Sequence, residues 1–565
     1  FITQLSLTVN KLIANKVPNL KESNLKVSHL KERPPITLTL NDTFLSYAVK
    51  PAETKPFDVV ADNTKQDGKQ AIKLSLQQSN FTLAAQLDVS ALQPLSKQPA
   101  IITATGVIKQ NQDDWQIKLG LNTQITLSAL SLAATTGDKA DISAANLATK
   151  VQGAISIAKD ISTARDNNPQ QKSTQSKAKP AGKISLALQL SSELSRLQLA
   201  KVIHIKRLQL TADISGNSEN ISVNGQVVAD NVAVAKINIS GALAQPKLEV
   251  LANEVLITDL LALNVNLPVD VKLIDGKLSY HLIGPLQDLA ELMDEPMTSS
   301  INNTMKLSIS LQDITGEIGG TWLQDLNWQQ TLRLEKGHIT SMSQGKSPVN
   351  NLRIAMIESA VPIENFSAQI QLNFQQQRLA LMANNMRGEI LGGSFNIAKA
   401  QWPFQAERSV NVQLNSIDLE KLLDLDQQQS IVVTGNISGH LPVYFDGQQC
   451  LIKAGELHNV SNGIIQVMNN AAVVELKASS TELKLAFDAL QNLHYHQLTS
   501  AVSMADDGYM LLATVIKGRN PELDNEVNLN LNLNYDLLGL LQSLNITEQL
   551  EKRIIKHSQQ KIQQH

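Results

Sequence analysis

Polar and apolar residues alternate along most of this chain. The clearest case is EVNLNLNLNY, residues 526–535, where Val527, Leu529, Leu531 and Leu533 are separated by Asn528, Asn530 and Asn532. In a β-strand successive side chains point to opposite faces, so this segment has one aliphatic face and one covered with carboxamides. The same period recurs in ITLTL (from Ile36), FTLAAQLDV (from Phe81), WQIKLGL (from Trp115), KISLALQL (from Lys183), RLQLTADI (from Arg207), MKLSISL (from Met305) and FSAQIQLNF (from Phe366). Each reads as a half-buried antiparallel strand.

Gly, Asn and Asp punctuate the strands, as in SGN near Ser215, DGK near Gly276 and DDG near Gly508, and predict turns there. Residues 165–183 are rich in Gln, Ser and Lys with two prolines, and read as a polar flexible loop or linker. Helical spacing is confined to 258–263, 285–293, 416–425 and a stripe from Tyr535 onward through Leu537, Leu538, Leu541 and Leu544. LPVDVKLIDGKL (267–278) is matched by LPVYFDGQQCLIKAGEL (441–457), which predicts similar strand-turn units along the chain.

The pattern implies roughly 30 strands at spacings of about 4.8 Å, and a sheet that large curls or splits. A curled sheet with all its alternation in one phase encloses an aliphatic trough, whereas a split one gives stacked β-sandwiches whose inner faces satisfy each other. Periodicity by itself favours sandwiches. Composition shifts the balance: aromatic residues are 4% against 42% hydrophobic in total, and Ala85, Ala368, Gly388 and Gly392 read as small residues that leave width on the apolar face. The fold class expected is therefore mainly β: a long curled antiparallel sheet forming an elongated hydrophobic groove, with a few short helices and a C-terminal amphipathic helix. Its lining would include Ile370, Leu372, Phe374, Leu379, Leu381, Val410, Val412, Leu414, Ile437, Leu441, Val443, Val527, Leu529, Leu531 and Leu533.

A net charge of -3 with scattered Lys and Arg argues against a nucleic-acid partner. The single Cys450 excludes an internal disulfide framework. No run of 18 apolar residues is present, and the start at Phe1 reads as a fragment or processed chain with an anchor or signal upstream. Catalytic patterns fail on inspection. Gly345-Lys346-Ser347 lacks the upstream Gly of a phosphate loop, and Gly392-Gly393-Ser394 has Asn396 where a nucleophile elbow needs Gly. His494 and His496 share a strand face without a third metal ligand, and Asp424, Asp426, Asp506 and Asp507 sit where carboxylates cap and solvate. No cofactor, metal site or catalytic residue is expected, and the chain does not read as an enzyme.

The C-terminal third carries a resemblance. IDLEKLLDL, VTGNISGHLPV, IKAGEL, LHYHQLTSAV and the run from Asp506 through Gly518-Arg519-Asn520-Pro521 to Leu544 resemble the YdbH family, a branch of the AsmA-like proteins that includes TamB, over roughly residues 385–545. Upstream the similarity is one of strand style. The segments expected are 1–164, an amino-terminal groove segment; 165–183, the linker; 184–384, a central groove segment; 385–545, the YdbH-like domain; and 546–565, a helix and polar tail. The resemblance implies a periplasmic protein of a diderm bacterium, anchored in the inner membrane and reaching towards the outer one. Its cargo would be phospholipid, and its C-terminal end would pair with a small outer-membrane lipoprotein, for which Leu537, Leu538, Leu541 and Leu544 are docking candidates. An older label, dicarboxylate transport, fits less well, because a small dianion needs convergent cations rather than an aliphatic wall. A structural or adhesive sandwich array is the alternative.

Overall fold

The computed structural model describes residues 2–9, 36–49, 72–87, 100–111, 114–132, 142–158, 183–199, 203–217, 219–263, 270–286, 305–335, 338–342, 350–375, 378–425, 431–446, 449–468, 471–523, 525–536 and 539–540. Among them are 28 strands and only short helices, the longest being 10 residues. The strand pairings given below are all antiparallel, and the chain divides into two compact units.

The first unit comprises residues 1–255, 259–266 and 282–303. Its strands are β1 (Ile2–Val9), β2 (Ile36–Val49), β3 (Ile72–Leu87), β4 (Ala100–Asn111), β5 (Asp114–Leu119), β6 (Gln124–Leu132), β7 (Ile142–Ala158), β8 (Lys183–Leu199), β9 (Ile203–Asn217), β10 (Asn220–Ala229), β11 (Val232–Ala242) and β12 (Lys247–Leu256). They pair in chain order, with β5 and β6 lying end to end between β4 and β7. A break at Gly120–Thr123 separates those two, where buried Thr123 donates its hydroxyl to the Thr105 carbonyl (3.1 Å). Helix α1 spans Ile257–Leu261.

The second unit comprises residues 256–258, 267–281 and 304–565. It holds the start of β13 (Val271–Pro285), then β14 (Met305–Ile318), β15 (Thr321–Glu335), β16 (His338–Ser341), β17 (Leu352–Glu358), β18 (Ile363–Gln375), β19 (Arg378–Ile390), β20 (Gly393–Trp402) and β21 (Val410–Asp418). Helix α2 (Leu419–Asp424) leads to β22 (Ile431–Val433), β23 (Asn436–Asp446), β24 (Gln449–Asn459) and β25 (Gly463–Val467). A helical hairpin, α3 (Ala471–Ser479) and α4 (Thr481–Leu490), precedes β26 (Leu493–Met504), β27 (Tyr509–Asn520) and β28 (Asn525–Asp536).

In this unit Asp313, Asp325, Asn365, Asn385, Ser416 and Ala454 interrupt successive strands at φ near +50°. Most of these are Asn or Asp, the types that tolerate left-handed backbone, and such a residue makes a β-bulge. A bulge leaves an amide without a ladder partner. Polar side chains of neighbouring strands satisfy three of them: the N–H of Asp313 donates to Asn327 Oδ1 (3.3 Å), that of Asp325 to Thr315 Oγ1 (3.2 Å) and that of Ser416 to Ser438 Oγ (2.9 Å). Across each bulge the parity of the sequence changes.

Several local expectations change. The predicted turn at Gly276 is mid-strand, a buried left-handed glycine pressed against Ile314. Hence 267–278 and 441–457 are not equivalent, since the latter is a hairpin of two strands and the former runs into β13. Tyr535 and Asp536 end β28 rather than beginning a helix. Gly388 does not leave width, because a Cβ there would meet Phe395 and Ile363, and Gly392 is a turn residue at φ +70°. The linker 165–183 and most of 285–293 lie outside the described residues, as does the side chain of Ala85.

Candidate functional site

Strand register decides which predicted lining residues share a face. From β18 to β19, Leu372 pairs with Leu381 and Phe374 with Leu379. From β20 to β21, Phe395 pairs with Leu414 and Ile397 with Val412, and from β21 to β23, Val410 pairs with Val443 and Val412 with Leu441. Across the Ser416 bulge, Ile417 meets Ile437. The path continues through Val443–Ile452, Ile452–Met504, Met504–Met510 and Met510–Tyr535. Leu512 opposes Leu533 and Ile516 opposes Leu529. Cross-strand partners project to the same side, so Ile370, Leu372, Phe374, Leu379 and Leu381 share a face of β18 and β19, and Val410, Val412, Leu414, Leu441 and Val443 share a face of β21 and β23. The opposite faces carry Asn373, Asn411, Gln413, Asn528 and Asn530, all exposed. In the first unit the same construction places Leu188, Ile214, Val223 and Ile239 in one cross-strand row.

Most of these aliphatic side chains are half-buried. Leu379 is 37% exposed and Leu533 48%. A residue walled by its sheet neighbours but not covered by a second layer has this intermediate accessibility.

One rim of the face is covered. Helices α3 and α4 pack over the ends of β25, β26, β27 and β28, where Ile465, Val467, Val473, Leu493, Tyr495 and Ile516 are buried with Phe487 and Leu490 against them. Val527, Leu529 and Leu531 pack into this cluster, and Leu533 falls beyond it. The rim is assembled by specific contacts. Tyr495 Oη donates to the Thr434 carbonyl (2.8 Å), and Gly435 and Gly463 give the ring its room. Burial pushes the Tyr495 phenol above its ordinary pKa, since the charged form loses its hydration. The Gly518-Arg519-Asn520-Pro521 motif supplies the rest. Gly518 lies against the backbone of His494 and Tyr495, and Asn520, 1% exposed, donates from Nδ2 to the carbonyls of Asp488 (3.1 Å) and Ala489 (3.2 Å), the last turn of α4. Ser480 caps the start of α4 by accepting from the Leu483 N–H (3.1 Å), and Lys477 pairs with Asp488 (2.9 Å) between the helices. The sequence reading missed this hairpin; the Leu483, Phe487, Leu490 spacing behind the Ser480 cap is the signal that could have found it.

The other rim of the same strands has Ile452, Val502 and Met504 buried, with Leu441, Val443, Cys450, Met510 and Leu512 around them. Burial raises the Cys450 thiol pKa. In the first unit, Leu260 and Leu263 cover Ala144, Leu197, Ile205 and Ala229 in the manner of the hairpin.

Concavities with many polar lining residues are also present. One of about 840 Å³ in the first unit is lined by Lys150, Gln152, Gln189, Asp213 and Lys236, and one of about 1190 Å³ in the second by Asn327, Arg353, Ser367, Arg387 and Asn396. Neither includes a predicted lining residue. His494 and His496 are exposed, alternating with buried Leu493 and Tyr495, with the His494 ring against Asn492 Oδ1 (3.2 Å), and Asp507 accepts the Tyr509 N–H in its turn (3.0 Å). No group of three or more metal-ligating side chains gathers among the described residues. Leu537, Leu538, Leu541 and Leu544, together with Gly345-Lys346-Ser347 and Asp426, lie outside the described residues.

A protein-family comparison decides the class: residues 123–559 match the YdbH-like family, described as intermembrane phospholipid transport protein YdbH. The chain belongs to the YdbH-like family. The match reaches well upstream of residue 385, so the central strands belong to it as well as the C-terminal motifs. No curated protein and no solved structure matches the chain. The family is one of lipid transport rather than a known enzyme family, its cargo class is phospholipid, and its work lies between membranes. No helix among the described residues is long and apolar enough to cross a membrane.

Proposed function

We propose that the aliphatic face is the lipid path of a periplasmic bridge, along which acyl chains slide while head groups stay in water. The observation that supports this reading is the series of mainly aliphatic cross-strand pairs within β18–β19 and from β20 to β28, half-buried and backed by exposed carboxamides such as Asn373, Asn411 and Asn528. Carrying a phospholipid through water exposes about 30 methylenes at about 0.8 kcal/mol each, a barrier of order 25 kcal/mol. A continuous aliphatic wall removes most of that cost without binding tightly, and the step makes or breaks no covalent bond. An anchor in the inner membrane and a small outer-membrane lipoprotein at the C-terminal end complete the bridge; Leu537, Leu538, Leu541 and Leu544 remain the docking candidates.

Purified chain analysed by lipid mass spectrometry, with a photoreactive residue at Leu372 or Val412 and controls at Asn373 or Asn411, tests the path. Lipid adducts are expected at the first pair only. Equal labelling of both faces, or a chain that purifies without lipid and gives no adducts, removes the proposal and leaves the sandwich array.

A further inference from the structure

Leu529 and Leu533 lie on one face of β28, yet Leu529 packs into the cluster under the helical hairpin and Leu533 is 48% exposed. Between them runs a row formed by Leu457, Ser500, Thr514 and Leu531, in which the buried Ser500 and Thr514 hydroxyls hydrogen-bond at 2.9 Å. On one side of that row are Leu498, Ile516 and Leu529 below the helices. On the other are Val502, Leu512 and Leu533, which the helices do not reach.

We infer that the hairpin α3–α4 is a fixed stopper that ends the lipid path on its rim, so that cargo leaves over the opposite rim, past Met510, Leu512 and Leu533. The inference rests on the aliphatic face being the lipid path. Three features hold the hairpin in place. Asn520 ties the end of α4 to β27 through two carbonyls, Lys477–Asp488 joins the two helices, and Leu493 and Tyr495 are almost wholly buried beneath them, at 0% and 1% exposure. Opening would strip an apolar cover from five buried strand side chains, Ile465, Val467, Leu493, Tyr495 and Ile516, and break the Asn520 contacts together. A gate that must open for every lipid would be built from weaker contacts. Val527, Leu529 and Leu531 then belong to the stopper's seat, and the working wall of β28 is Leu533 and Tyr535.

A photoreactive benzoylphenylalanine placed singly at Leu372, Leu512, Leu533 and Leu529 in the full chain, with vesicles of phosphatidylethanolamine and phosphatidylglycerol, tests this. Adducts are expected at Leu372, Leu512 and Leu533, with loss of the adduct at Leu529. Equal adduct at Leu529 overturns the stopper while keeping the lipid path. Absence of adduct at every position, Leu372 included, overturns the lipid path itself and the stopper with it. Because a bulky group at Leu529 can unfold its surroundings, amide hydrogen exchange of residues 473–490 in the unaltered chain gives a second reading. Protection unchanged by vesicles supports a fixed stopper, and protection lost on adding them makes the hairpin a gate.

Discussion

The two rims of the terminal strands are drawn from the same strands and the same face, yet they are built differently. The rim under the hairpin is a small protein core, with two aromatic side chains, a phenol bonded to a backbone carbonyl, glycines that let the ring approach and an asparagine that caps a helix. The other rim gathers aliphatic and thioether side chains with one thiol, Met504, Met510 and Cys450 among them, with Phe445 and Tyr535 beside them, and no helix among the described residues is part of that cluster. A surface meant to pack against protein needs defined shape and satisfied polar groups. One meant to slide past acyl chains needs only to be smooth and apolar. Alternation is common to both; what separates them is the machinery that fixes one partner in place.

The largest expected contrast comes from placing one charge on each rim. Leu529→Asp puts a carboxylate without a partner into the hairpin cluster and should lower stability by about 3 kcal/mol, seen as an earlier chemical-denaturation midpoint. Leu533→Asp, at a half-exposed site, should change stability by less than about 1 kcal/mol while reducing lipid transfer between vesicles. Equal destabilisation by the two would erase the distinction between the rims.

That contrast also marks what could be read in advance. Period-2 patterning in segments such as WQIKLGL and KISLALQL gave the strands, and they are β5 and β8. Within a single strand parity assigns a face, so Val527, Leu529, Leu531 and Leu533 were legible as one set. Cover was not legible, since Leu529 and Leu533 differ in nothing local and their fates depend on a hairpin that precedes them by some 40 residues. The bulges were hidden for a related reason. Asp313 and Asn385 look like turn or surface residues, and only pairing with a neighbouring strand, β15 for Asp313 and β18 for Asn385, shows that the register shifts there. Gly518-Arg519-Asn520-Pro521 stood out as a motif, but its use as a cap on α4 required knowing that α4 exists.

A smaller effect should come from removing that cap. Asn520→Ala leaves the Asp488 and Ala489 carbonyls without their side-chain donor in a buried place, a loss of about 1–3 kcal/mol. Hydrogen exchange should localise the loss to residues 481–490, sparing the strand ends near Met504 and Met510. Tyr495→Phe is milder. It deletes the bond to the Thr434 carbonyl and should cost about 1 kcal/mol at neutral pH. Its pH dependence is the sharper test. The folded-state pKa of Tyr495 is raised, so its contribution to stability is fully present below the unfolded value of about 10 and is lost as pH climbs from there towards the folded value. The unaltered protein should therefore unfold more readily as pH rises above about 10, and part of that slope should vanish in Tyr495→Phe. An unchanged alkaline profile would mean that the ring is not the buried anchor of its rim.

The smallest effect needs no mutation. Cys450 opposes Phe445 on the uncovered rim, half-buried, with its thiol pKa raised by burial. The thiolate is the reactive form, so a raised pKa predicts alkylation at neutral pH slower than that of a free thiol, and a rate that climbs with pH into a higher range than the free thiol's. If acyl chains occupy this rim, phospholipid vesicles should slow the reaction further, because the reagent must displace lipid to reach the sulfur. Short-chain amphiphile below the concentration at which it forms micelles should do the same. A rate indifferent to lipid, measured on a chain that yields adducts at Leu372, would place the exit elsewhere and make the two rims equivalent in their isolation from cargo.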